Sequence, residues 1–136
     1  DFQSRNIMVR AGEVWFIDYQ GGRQGALPYD VASLLYDAIV VIPDEQREEL
    51  LDGCICGLQA YRTVEPGLFR HVFYRFVLVR LLQAMGAFGL RVLYERKPHF
   101  IDSIQPGLHS IDRLFQSGRL DADYAEIRRV CRQLLE

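Results

Sequence analysis

The sequence predicts an α+β protein, mostly α, in which one small β-hairpin is placed on a helical body. Two observations carry that expectation. Residues 6–9 (NIMV) and 14–17 (VWFI) are short apolar runs on either side of Ala11-Gly12, and two such runs joined by a few residues containing Gly read as a β-hairpin. From Val31 onward the period changes, because Val31, Leu34, Leu35, Ala38, Ile39 and Ile42 follow helical spacing. No internal repeat or low-complexity linker interrupts the chain, so residues 1–136 are expected to form a single domain. Within it, residues 1–28 hold the hairpin and its flanking loops, and residues 29–136 the helical body.

The elements follow in order. After the hairpin comes Asp18, then a loop rich in Gly21, Gly22 and Gly25 that ends at Pro28. Tyr29-Asp30 opens the first helix, with Asp30, Ser33 and Asp37 on the face opposite the apolar stripe. Asp44 is the expected N-cap of a second helix, and Glu45, Glu48 and Glu49 in its early turns complement the helix dipole. That helix should run to about Tyr61. A long third helix starts near Pro66, burying Leu68, Val72, Phe76, Val79 and Leu82 or nearby positions, with Gly86 and Gly89 as places to bend or end it. Pro98 and Pro106 mark the starts of two shorter helices. Asp121 caps the last one, whose apolar stripe is Tyr124, Ile127, Cys131 and Leu134.

Composition excludes several classes. The chain has 136 residues, 49% hydrophobic, 25% charged and 12% aromatic, the profile of a soluble globular protein and not of a disordered or collagen-like one. Sixteen basic and eighteen acidic residues leave a net charge of −2, with no basic excess for coating nucleic acid. Arg70, Arg75 and Arg80 step by five, about 140° per step, and make no single stripe, so a nucleic-acid groove is not expected. Residues 68–93 are the most apolar region. Arg70, Arg75, Arg80 and Arg91 interrupt them, so no bilayer span of about 20 apolar residues is expected. Three cysteines make no disulfide framework. Cys54 and Cys56 point to roughly opposite sides of a helix, and all three read as reduced, structural thiols of a cytoplasmic protein. His71, His99 and His109 show no ligand spacing. The aromatics Phe69, Phe73, Tyr74, Phe76 and Phe88 read as core. The opening DFQSRN has no initiator Met and reads as the middle of something, so the chain is expected to be a fragment of a longer protein.

The chemical signal concentrates in residues 1–30: Asp1-x-x-x-x-Asn6, the hairpin, Asp18, the Gly-rich loop, then Tyr29-Asp30. A hairpin brings its two ends together, so Asn6 and Asp18 should lie side by side. An amide oxygen and a carboxylate are hard donors suited to Mg²⁺, which takes few protein ligands and shares its shell with phosphate oxygens. Asp1, on the loop leading in, is within reach of whatever the metal holds. These are the parts that positioning-based phosphoryl transfer uses.

The segments DFQSRNIMV and VWFIDYQGGRQGALPYDVASLLYDA resemble the C-terminal lobe of the aminoglycoside phosphotransferase and choline kinase-like enzymes, relatives of protein kinases. Within that family they look most like bacterial kinases of amino sugars, including the anomeric kinases of cell-wall sugar recycling. The match covers residues 1 to about 38; the helical remainder agrees in character only. The resemblance implies a protein kinase-like lobe and an ATP- and Mg²⁺-dependent transfer of the γ-phosphate to a hydroxyl of a small molecule, a sugar or amino sugar. It implies Asp1 as the catalytic aspartate that accepts or orients the hydroxyl proton. It implies Asn6 and Asp18 as the metal ligands, and Asp30 as the buried helix-start aspartate that supports the catalytic loop through its backbone amides. The nucleotide-binding lobe, its lysine and the histidine that precedes the catalytic aspartate would lie upstream, so this chain alone is expected to be inactive. No Walker-type phosphate loop occurs, and Gly21-Gly22-Arg23-Gln24-Gly25 lacks its lysine.

Other readings stand beside these. Arg5 and Arg23 either neutralise transferred phosphate or form surface ion pairs. Asp37, two turns after Asp30, either approaches substrate or belongs to a solvated face. The competing function is a non-catalytic binding or regulatory module derived from a kinase lobe.

Overall fold

A computed structural model of the chain describes residues 2–20, 22, 24–37 and 40–136. It is mostly helical, with one two-stranded antiparallel sheet, as the sequence predicts. Two compact units divide the chain at Phe73 and Tyr74.

The first unit opens with a 3-10 turn, Ser4–Asn6, followed by strands β1 (Ile7–Arg10) and β2 (Glu13–Phe16). Their register pairs Ile7 with Phe16 and Arg10 with Glu13. The connection is Ala11-Gly12, with φ of +52° and +82°. Two positive φ values are what a two-residue type I′ turn requires, one of the turns whose twist matches the flanking strands. Glycine at position 12 adopts it freely; Ala11 carries a Cβ there. Both strands are largely exposed, and the Phe2 ring lies 5.6 Å from the ring of Phe16, the last residue of β2.

Helix α1 (Leu27–Leu35) starts with Pro28 in its first turn and Asp30 close behind, an arrangement that fits the unpaired N–H groups and the dipole of a helix start. The apolar spacing predicts continuation to Ile42, yet the helix ends at Leu35. Tertiary bonds override the period there. The guanidinium of Arg47 lies 4.1 Å from the centre of the Tyr36 ring, and the Asp37 carboxylate accepts from Ser4. Ala38 and Ile39 lie outside the described residues. Ser33, expected on the solvent face, is 2% exposed.

Helix α2 (Asp44–Gln59) follows. Pro43, not Asp44, is its N-cap residue. The Asp44 carboxylate is taken instead by Arg47, whose Nη1 donates to Oδ1 at 2.5 Å. Arg70 pairs with Glu48 at 2.7 Å and with Asp52, which ties the start of helix α3 (Pro66–Leu93) to α2. Ala32, Leu35, Leu51, Ile55, Phe69 and Phe73 are the buried hydrophobics of this unit.

In the second unit α3 buries Tyr74, Val77, Leu78, Leu81 and Phe88. The buried face of α3 as a whole is shifted by one residue from the expected set, for Leu68 and Val79 are exposed while Phe69 and Val77–Leu78 are covered. A helix apolar on nearly every side does not declare its buried face through periodicity. Gly86 and Gly89 do not end it. A 3-10 helix, Pro98–Ser103, leads into α4 (Ile104–Gln116), which starts two residues before Pro106. Gly107 lies against Met85: a Cβ there would fall 2.0 Å from Met85 Cε. Helix α5 (Ala125–Gln133) buries Cys131. Asp121 does not cap it. Its carboxylate makes a two-pronged pair with Arg75, Nε to Oδ1 at 3.0 Å and Nη2 to Oδ2, and Tyr124 (φ +44°) stands at the N-cap position.

By length and composition α3 could cross a membrane, which corrects the expectation of no such stretch. Beyond Arg75 only Arg80 and Arg91 interrupt it. The core helix of a soluble protein meets the same criterion.

Candidate functional site

The base of the hairpin is built by backbone bonds. Asn6 N–H donates to Gln3 O at 3.0 Å, closing the 3-10 turn, and Ile17 N–H donates to Asn6 O at 3.0 Å. The second bond extends the strand ladder by one step beyond Ile7–Phe16, so Asn6 stands opposite Ile17 and Asp18 is the next residue along. The hairpin therefore brings Asn6 and Asp18 to neighbouring register positions.

Their environments differ. Asn6 is 7% exposed and, with Ser33, is one of the buried polar residues. Asp18 is exposed and has a φ of +59°, a left-handed conformation that Asp tolerates better than most residues with a side chain. A side-chain amide and one open carboxylate are a donor set that fits Mg²⁺, which completes its shell with water and phosphate oxygens. Among the described residues no group of three His, Cys, Asp or Glu gathers for a metal.

Asp1 and Arg23 lie outside the described residues. Arg5 is exposed in the middle of the 3-10 turn. Asp30, expected to be buried and to support the loop, is exposed in the first turn of α1, where its charge complements the helix dipole. The carboxylate that reaches the turn before the hairpin is that of Asp37. Ser4 N–H donates to Asp37 Oδ2 at 3.1 Å, and the Ser4 hydroxyl donates to the same oxygen. Asp37 is half-buried, so the solvated face does not describe it.

Sequence reasoning missed two participants, Ser4 and Arg47. Arg47 Nε–H donates to Leu35 O at 3.0 Å and Nη2–H to Ile42 O at 2.9 Å. It thereby brackets the segment that carries Asp37. Its spacing from Asp44 hints at an ion pair three residues apart; nothing in the sequence says that it reaches back to the end of α1.

All three cysteines are free, and burial pushes the Cys54 and Cys131 thiols up, with Asp112 adding to the second. A raised thiol is a poor nucleophile at neutral pH. No family model, curated protein or solved structure matches the chain.

Proposed function

We propose that this chain is the metal- and substrate-bearing lobe of a cytoplasmic, protein kinase-like phosphotransferase that moves the γ-phosphate of ATP to a hydroxyl of a sugar or amino sugar. The observation that supports the reading most is the pairing of Asn6 with Ile17, which puts buried Asn6 and exposed Asp18 at neighbouring register positions at the base of the hairpin. Asn6 and Asp18 would hold Mg²⁺, which when bound neutralises charge on the phosphate oxygens. Asp1 would accept the proton of the acceptor hydroxyl as its oxygen bonds to the γ-phosphorus and the bond to ADP breaks. The adenine and the outer phosphates would be gripped by a separate nucleotide-binding lobe of a longer protein. This chain alone should then release no useful ADP and should bind Mg²⁺-nucleotide weakly at most.

The test is ADP release by the longer protein with Mg²⁺-ATP across amino sugars, other sugars, aminoglycosides and choline. Turnover that depends on one acceptor class, and that Asp1→Ala and Asp18→Ala abolish, is the expected result. Full activity in Asp18→Ala overturns the metal assignment. Folded protein that binds nucleotide yet turns over no acceptor favours a binding or regulatory module.

A further inference from the structure

We infer that Asp37, and not Asp30, is the positioning residue of the candidate site: through Ser4 it fixes the short turn that carries Asn6. The inference rests on the phosphotransfer reading for the meaning of Asn6, but its geometry is independent of it.

A three-residue 3-10 turn cannot hold itself, because its first N–H groups have no partner inside the turn. The far end of this one is fixed by the ladder, where Asn6 O accepts from Ile17 N–H. The near end is fixed by Asp37, one oxygen of which takes both the N–H and the hydroxyl of Ser4 across 33 positions of sequence. Bonds to an ionised acceptor are the strong ones. The anchor is itself held. Arg47 binds Leu35 O and Ile42 O on either side of Asp37 and lies over the Tyr36 ring. The chain of supports thus runs from Arg47 to the 35–42 segment, to Asp37, to Ser4, to Asn6. Asp30 is exposed at the other end of α1 and takes no place in it. Residues that orient a metal ligand without touching the metal commonly change metal affinity tenfold to a hundredfold.

The experiment uses the 136-residue chain labelled with ¹⁵N, with Mn²⁺ alone as the probe. Broadening of the Asn6 and Asp18 amides reports the metal pair even when binding is weak, and hydrogen exchange at Ser4 and Asn6 reports the turn. In Asp37→Ala the Mn²⁺ concentration that broadens Asn6 should rise about tenfold or more. Exchange at Ser4 should quicken, while amides of Phe73 and Val77 exchange as in the wild type. Asp37→Asn, which keeps an acceptor oxygen without the charge, should fall between the two. Ser4→Ala removes one bond of the pair and should shift both readouts the same way by less, so the inference stays testable if Asp37→Ala fails to fold. Unchanged Mn²⁺ response and unchanged Ser4 exchange in Asp37→Ala and Ser4→Ala overturn the inference alone. Exchange that quickens equally at every amide also overturns it, since Asp37 would then serve general stability. Absence of broadening at Asn6 and Asp18 in the wild type overturns the metal pair, and the inference with it.

Discussion

The hairpin and the helices use apolar residues in opposite ways. Met8, Val9, Val14, Trp15 and Phe16 are all more than half exposed, whereas Phe73, Leu51, Ile111 and Val77 are fully buried. The hairpin is therefore held by its ladder, its turn and its base, where Asn6 and Phe2 sit, and the helices by burial. An isolated two-stranded hairpin is marginal in water. The candidate site thus stands at the root of the least buried element, and the bonds at that root matter more than the side chains along the strands.

The largest expected effect tests that contrast directly. Phe73→Ala should cost about 3–5 kcal/mol and Ile111→Ala about 2–5 kcal/mol, because each leaves a cavity in a close-packed interior. Val9→Ala should stay within about 0.5 kcal/mol, as exposed substitutions do. Urea unfolding with both helical and tryptophan signals measures all three. A Val9→Ala loss comparable with that of Phe73→Ala would break the comparison by showing that the hairpin carries global stability.

Arg47→Ala is next. It removes a guanidinium that satisfies Leu35 O and Ile42 O and lies over Tyr36. Hydrogen bonds to charged groups contribute about 1.5–3 kcal/mol each, and the effects do not add fully, so a loss of about 3 kcal/mol is expected. Arg47→Lys should recover little of it, since an ammonium lacks the planar fork. A loss below about 1 kcal/mol would mean that the end of α1 holds without Arg47.

What was legible in the sequence was local. The hairpin is displaced by about one residue from the runs that predicted it, because turn chemistry and a period of two are written in consecutive residues. Helices α2 and α3 begin near Asp44 and Pro66 for the same reason, and the adjacency of Asn6 and Asp18 follows from hairpin register. What was not legible depends on partners distant in sequence. Leu35 ends α1 because of Arg47 and Ser4. Asp121 leaves its capping position because Arg75 reaches it. The buried face of α3 is chosen by its neighbours, since its own apolar residues cover nearly every side. Asp37 and Asp30 lie on one short stretch of similar pattern, and only the fold distinguishes the one that binds Ser4.

A smaller effect sharpens the hairpin side. Ala11 holds a φ of +52°, a conformation that costs a residue with a Cβ about 1–2 kcal/mol and Asn less. Ala11→Asn, giving the Asn-Gly pair favoured in such turns, should therefore stabilise the hairpin by about 0.5–1 kcal/mol. The gain should show as slower amide exchange in β1 and β2 with little change in global unfolding. A rise in global stability of the same size would mean that the hairpin unfolds together with the helices.

The smallest effect lies at the start of α3, where Glu65 is the residue before Pro66. Its carboxylate accepts from Leu68 N–H and from Gly67 N–H, the latter at 2.9 Å, and these two bonds, Leu68's first, hold it below the usual carboxylate range. Because the folded pKa is the lower one, the unfolded chain takes up the proton first as pH falls. The stabilisation by Glu65 is thus fully present above the pKa it has in the unfolded chain, and is lost as pH falls through the lowered folded value. Glu65→Gln keeps an acceptor oxygen but not the charge. The wild type should melt higher than this variant at pH 7, and the gap should close as pH drops below the carboxylate range. Because Glu65 is exposed, added salt should shrink the gap at pH 7 as well. A gap that stayed constant from neutral to acid pH would assign the cap to the geometry of the two hydrogen bonds alone, with no contribution from the charge.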